Sequence, residues 1–270
     1  MRPRLFQIGH FTIYGYGLML ALGFIIASYV LTEEFKRRKL DPNIASTITL
    51  FALFAGVAGC KILFLIENWS DFLLDPAGMA FNPGGLTYFG GFFLAMACIA
   101  LYLRKKKLGF LLAADAVAPA LMLGYGIARI GCHLAGDGDY GFPTTLPWGT
   151  DYANGTFPPS YAFRDFPEVT KNFPGGIVPD HTPCHPTPVY EFLICMAMFF
   201  LLWKMRKTTS PHGTLFMLYL ILAGLERFII EFLRLNPRIL AGLSEAQLIA
   251  LLLIGTGLIG WWKLSVKQPA

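Results

Sequence analysis

Between Ile221 and Leu235 the chain reads ILAGLERFIIEFLRL, placing Glu226, Arg227, Glu231 and Arg234 in a background apolar enough to cross a bilayer. Ionisable groups in such a stretch are costly, so each marks a functional site by default. Arg227, Glu231 and Arg234 are spaced i, i+4, i+7 and are expected to share one helical face turned away from lipid. Glu226, roughly 100° around the same helix, is expected to address another neighbour. Arg129 and His133 are also spaced i, i+4, and Tyr190 and Glu191 follow the pair His185-Pro186 closely. Arginine–glutamate pairs of this kind can simply lock helices together. Two arginines with an open face point instead to a phosphate, because guanidinium stays charged and meets phosphate oxygens two at a time. Inside a membrane the available phosphate belongs to a phospholipid headgroup.

Other polar groups read as structural. Asp115 stands near the start of its apolar run, and Lys61 is long enough to snorkel toward the interface. The five cysteines (60, 98, 132, 184 and 195) form no CxxC pair. Cys132-His133 and Cys184-His185 allow three arrangements: a two-Cys, two-His zinc site, a disulfide on the outer face, or two unrelated thiols. The last is the expected one, and no metal or organic cofactor is implied.

The elements that must carry these residues follow from composition. Of 270 residues, 55% are hydrophobic and only 14% charged, against about 25% charged in soluble domains. That shortfall places the chain among all-α polytopic membrane proteins. Seven apolar runs are long enough to span, near 13–33, 45–66, 86–103, 109–133, 188–205, 213–233 and 246–263. Basic clusters at 36–39, 104–107, 204–207 and Lys263/Lys267 follow the first, third, fifth and seventh, and hold 13 of the 22 Lys and Arg residues. This bias predicts an extracytoplasmic N-terminus and a cytoplasmic C-terminus. The first run is too long for a signal peptide and lacks a small-residue cleavage site. The basic clusters are short and explained by topology, which argues against nucleic-acid binding.

One membrane domain, 1–270, is expected, with no short-period repeat. Its long insertion, 136–187, falls on the outer side between spans four and five. From Gly136 to Pro188 there are 7 Gly and 10 Pro, a composition that excludes long helices. Its aromatic residues argue for a compact, irregular arm. A shorter outer connection, 67–85, ends in the turn signal NPGG. Beyond it, Gly90 and Gly91 suit either close helix approach or room for a ligand headgroup.

On these residues the chain resembles bacterial prolipoprotein diacylglyceryl transferases. The segments that carry the likeness are YGYGLML (14–20), GGLTYFGG (84–91), RIGCHLAGDGDYG (129–141), HPTPVYE (185–191) and RFIIEFLR (227–234), in order along nearly the whole chain. The resemblance implies a multi-pass protein of the bacterial cytoplasmic membrane. It would move the diacylglyceryl group of phosphatidylglycerol onto the lipobox cysteine of a preprolipoprotein, forming a thioether and releasing glycerol phosphate. By the same resemblance, Arg129 and Arg227 would grip the phosphate, Glu231 would orient Arg227, and Glu191 and Asp137 would order the outer mouth. Tyr16 and Gly141 would line the cavity, and Gly90, Gly91, Tyr190 and Arg234 complete the expected binding set. The chain departs from the family pattern at Phe89, where a histidine often stands, and at Cys132, Asp137 and Ala223. With no histidine at 89, His133 and His185 are the candidate proton acceptors. Alternatively, a thiol held near Arg129 or Arg227 favours its thiolate unaided. A related transferase or hydrolase for another lipid or acceptor, and a lipid or anion transporter, are the competing readings. A transporter would favour inverted internal repeats, and none is evident.

Overall fold

A computed structural model describes residues 3–9, 11–82, 84–209 and 211–266. Lys267 of the last basic cluster and Pro83 of the NPGG turn lie outside them. A hairpin of β1 (Arg4–Ile8) and β2 (Phe11–Tyr14) opens the chain and leads directly into α1 (Gly15–Arg37). Then follow α2 (Pro42–Glu67), the single-turn helices α3 (Trp69–Leu74) and α4 (Pro76–Phe81), α5 (Tyr88–Lys105) and α6 (Phe110–Ala135). After the short α7 (Pro159–Ala162) and α8 (Pro167–Thr170) come α9 (Thr187–Met205) and α10 (Thr214–Ile230). A second hairpin of β3 (Arg238–Leu240) and β4 (Leu243–Ser244) then enters α11 (Glu245–Val266).

Among the described residues six helices, α1, α2, α5, α6, α9 and α11, are long and apolar enough to cross a membrane. The expected sixth span forms α10, which stops at Ile230 after 17 residues rather than running to 233. Polar and apolar residues are distributed as a lipid solvent demands. Ile25, Phe54, Leu101 and Leu252 are exposed, while Glu34, Asp115, Arg129, Glu191, Glu226, Glu231 and Arg234 are buried.

The chain divides into two compact units, Ser28–Ala114 and the remainder (Met1–Ala27 with Asp115–Ala270). In the first, α2 and α5 cross at glycines. A Cβ on Gly90 would collide with the carbonyl of Gly59, and one on Gly91 with Gly56 and Cys60. Close approach of this kind suits helices packed by dispersion rather than by the hydrophobic effect. On the side where a Cβ would point, the space beside both glycines is filled by α2, which fits the close-packing reading. Lys61 Nζ donates to the carbonyls of Asn82 and Gly84 at 2.8 and 2.9 Å and pins the turn before α5. Glu34 is buried between Arg37 and Arg38.

In the larger unit, α6 meets α1 at Gly124 and Gly23, and α10 packs on α11 at Gly224 and Gly257. Asp115 is structural. Its carboxylate accepts from the backbone N–H groups of Gly213 (2.7 Å) and Phe216 (2.8 Å), capping the N-terminus of α10 from 98 residues upstream. A carboxylate there satisfies unpaired donors and complements the helix dipole. The connection between α6 and α9 holds its own small core of Tyr140, Tyr152, Phe163, Val169, Val178 and Cys184, with Tyr140 stacked on Tyr152 at 4.2 Å.

Candidate functional site

The site grows from the C-terminal end of α6 and the N-terminal end of α9. Arg129, about one and a half turns before the end of α6, is buried (8% exposed) and meets Glu191 from the second turn of α9. Its Nη2 donates to Glu191 Oε1 at 3.0 Å, while its Nε pairs with Oε2 by charge at 2.5 Å and has no hydrogen-bond partner among the described residues. Arg129 Nη1 reaches Asp139 Oδ2 at 2.5 Å. Arg234 approaches the same two carboxylates from the other side, with Nη1 3.0 Å from Glu191 Oε1 and Nη2 on Asp139 Oδ1. Arg129, Asp139, Arg234 and Glu191 thus close a four-membered ring of two cations and two anions. The Tyr125 hydroxyl donates to Glu191 Oε2 at 2.8 Å. Fork geometry and multiple hydrogen bonds are what make buried charge pairs tolerable. Asp139 lies in the loop beyond α6. Burial works to raise its pKa, but Arg129 and Arg234 outweigh it and hold the carboxyl at about 2.

Two expectations change here. Arg234 is not reached by continued helix, because the chain leaves α10 at Ile230, turns through 231–233 and bridges Gly141 in antiparallel fashion, yet its Nε still lies 3.9 Å from Glu231 Oε2, the oxygen that pairs with Arg227. Arg129 does not present an open guanidinium, because both of its edges are engaged by carboxylates. Asp139 causes the second difference, and its part is not evident from the sequence, where it is one of two acids in GDGD.

Arg227 is different. It is 24% exposed and its one described ion pair is with Glu231 Oε2 at 3.0 Å. It shares its surroundings with Arg129, since both bear electrostatically on the Tyr125 hydroxyl and on Glu226. Glu226 is buried, and its Oε1 has no hydrogen-bond partner among the described residues. The remaining groups serve two regions. Tyr16, 43% exposed on α1, senses Cys132, Asp137, Arg129 and Asp139. Gly141 is a packing residue rather than a cavity wall: its N–H donates to the His185 carbonyl at 2.9 Å, and a Cβ would strike the Leu233 carbonyl. Asp137 accepts from the Asp139 N–H at 3.3 Å.

Both candidate histidines bind tyrosine hydroxyls through Nδ1, His133 with Tyr152 at 3.0 Å and His185 with Tyr190 at 3.3 Å. Tyr190 also accepts from Trp148 Nε1 at 2.8 Å. His185 lies outside the helices, and burial lowers its pKa, keeping the ring neutral at pH 7. Cys132 and Cys184 are free thiols. Cys132 Sγ, Asp137 and Asp139 lie close together, but Asp139 is already committed to two guanidinium groups. Gly90 and Gly91 belong to the smaller unit and were accounted for there. Phe89, 40% exposed, sits edge-on to Tyr88.

Among the described residues, Arg227 has one ion pair and stands beside a ring whose own charges cancel. The family model described as prolipoprotein diacylglyceryl transferase matches residues 3–263. A protein of Clostridium tetani named phosphatidylglycerol–prolipoprotein diacylglyceryl transferase is 33% identical over 260 residues, covering 96% of either chain. A Clostridium perfringens protein with that name and the suffix 2 is 31% identical over 262 residues, covering 96% of this chain and 94% of its own. One from Leptospira interrogans bearing the first name is 27% identical over 306 residues, covering 94% and 90%.

Proposed function

The chain belongs to the prolipoprotein diacylglyceryl transferase family, and on that premise we propose that it makes the lipobox thioether of bacterial lipoprotein precursors at the Arg227 site. Phosphatidylglycerol enters with its phosphate against Arg227. The lipobox cysteine sulfur attacks the glyceryl carbon that bears the phosphate ester. The C–S bond forms, the C–O bond breaks, and glycerol phosphate leaves with the electron pair. Negative charge grows on the departing phosphate, so a donor fixed there stabilises the transition state more than the ground state. Glu231 keeps Arg227 in place, and the ring of Arg129, Asp139, Arg234 and Glu191 is the rigid, charge-balanced wall behind it. Arg129 acts through this wall, because direct phosphate binding would require one of its carboxylates to swing away. Tyr16 and Asp137 flank the entry.

The thiol proton must leave as the thioether forms. His133 and His185 are the acceptors offered by the chain, each with Nε2 as its remaining ring nitrogen.

The basic clusters support an orientation with the C-terminus cytoplasmic and the 136–187 arm outside, where a secreted precursor arrives. α10 then acts as the seventh membrane helix. At 17 residues it covers roughly 25 Å, short of the hydrocarbon core of about 30 Å, and its end leaves Arg227 close to the outer interface. The observation that carries the reading is the partly exposed Arg227, held by one carboxylate beside a neutral ring. The test is reconstitution: purified protein in phosphatidylglycerol vesicles with a synthetic lipobox peptide. The expected result is a peptide heavier by one diacylglyceryl group with one glycerol phosphate released per peptide. Absence of both products, with a clostridial relative active alongside, removes the assignment.

A further inference from the structure

Glu231 is fully buried, and only Oε2 faces Arg227, as an ion pair at 3.0 Å without a hydrogen bond and with Arg234 Nε at 3.9 Å on the same oxygen. The other is held from the far side. Oε1 accepts from Asn236 Nδ2 at 2.6 Å and from Ser244 Oγ at 2.7 Å. Ser244 is itself buried (1% exposed) and starts α11 in the sequence Ser244-Glu245-Ala246-Gln247. This is a capping box, S-x-x-Q. The Gln247 N–H donates to Ser244 Oγ at 3.2 Å, and the Ser244 N–H donates to Gln247 Oε1 at 3.1 Å. A capping serine normally spends its hydroxyl proton on solvent. Here the accepting lone pair is taken by the helix N-terminus, which directs the O–H at Glu231.

The box is tied down further by its neighbours. Gln247, with no exposed surface, also accepts from Arg238 Nη1 at 2.6 Å, and its Nε2 reaches the Phe228 carbonyl at 3.4 Å. Arg238 Nη2 donates to the Glu231 carbonyl at 3.2 Å. The hairpin of β3 and β4 and the first turn of α11 are thereby clamped onto the end of α10, at the residue that faces Arg227.

We propose that Ser244 and Asn236 are positioning residues for phosphate binding: they fix the Glu231 carboxylate and, through it, the Arg227 guanidinium. A carboxylate given both donors presents one lone-pair direction to Arg227. One that loses a donor rotates, and the guanidinium follows it. The inference rests on the reading of Arg227 as the phosphate ligand. It adds that the hairpin and α11 cap form the device that aims it.

The test measures turnover of phosphatidylglycerol and lipobox peptide, together with thermal unfolding in detergent. The variants are Ser244→Ala, Ser244→Thr, Asn236→Ala, Arg227→Lys, Arg227→Ala and the double variant Arg227→Lys with Asn236→Ala. Hydrogen bonds to charged groups are strong enough for Ser244→Ala and Asn236→Ala each to lower kcat about tenfold. Ser244→Thr, which keeps the hydroxyl, restores kcat. In the Arg227→Lys background, Asn236→Ala produces no further loss, because the aim of a fork no longer matters to a point charge. Should Ser244→Ala unfold through loss of the cap, Asn236→Ala decides alone, since it leaves the capping box untouched. Wild-type kcat in Asn236→Ala and Ser244→Ala, with Arg227→Lys impaired, overturns the positioning role and leaves the phosphate assignment standing. Full activity in Arg227→Lys and Arg227→Ala overturns the assignment itself.

Discussion

Replacing Asp139 with asparagine removes one corner of the four-membered ring while keeping its shape. The carboxyl is held at about 2 against an ordinary 3.8, chiefly by Arg129 and Arg234 acting against burial. Its side chain is 28% exposed, so solvent screens it only partly. The difference corresponds to about 2 kcal/mol of native-state stabilisation. Because the folded pKa is the lower one, that stabilisation is present above about pH 4 and is lost as pH falls toward 2. Asp139→Asn therefore lowers stability at pH 7 by about 2 kcal/mol, a fall of roughly 5 °C in apparent melting temperature. Both proteins lose stability between pH 4 and 2 as their other carboxylates protonate, but wild type loses this increment in addition, so the two curves converge at the acid end. The assay is intrinsic tryptophan fluorescence during heating of detergent-solubilised protein across that pH range. An unchanged melting temperature at pH 7 would refute the ring as a stabilising unit, as would a gap between the proteins that persists undiminished to pH 2.

Three further outcomes follow from the same geometry. Gly141→Ala places a methyl against the Leu233 carbonyl and separates the arm from Arg234, so turnover falls at least about tenfold in a product assay. Alkylation of unfolded protein without reductant labels all five cysteines by mass spectrometry; labelling of three would show Cys132 and Cys184 joined. Phe89→His raises turnover where proton removal from the thiol limits the rate, as initial-rate measurements between pH 6 and 8 will show. An unaltered profile places the acceptor elsewhere, with His185→Ala as the comparison.

Much of the architecture was legible because the bilayer imposes a coarse, one-dimensional rule. Apolar runs at 45–66 and 109–133 became α2 and α6 with ends within three residues. The same rule misplaced Arg234. Helical spacing from Arg227 put it on one face with Glu231, but the chain turns at 231–233, and Arg234 joins Arg129 through carboxylates from two other segments. Asp139 escaped notice because nothing local separates it from Asp137. Only the approach of Arg129 and Arg234 does so. Gly90 and Gly91 were open to two readings, and the facing Gly59 and Gly56 of α2 fit close helix packing. Ser244-x-x-Gln247 went unread as a capping signature, and its third partner, Glu231, lies 13 residues earlier and is brought there by the hairpin. Composition limited the 136–187 arm to irregular structure; its core of Tyr140, Tyr152 and Phe163 depends on contacts that no short window contains.

The central claim is that Arg227 is the guanidinium that receives the phosphate, and that it is not needed for folding. Single-turnover thioether formation by Arg227→Ala in phosphatidylglycerol vesicles tests it most directly, with the melting temperature taken on the same sample. A donor on the developing charge contributes about 10²–10³ or more in rate. The account predicts a loss of at least about 10³-fold with melting unchanged within 2 °C, about the shift from 1 kcal/mol in a chain of this size. Turnover within tenfold of wild type would contradict it.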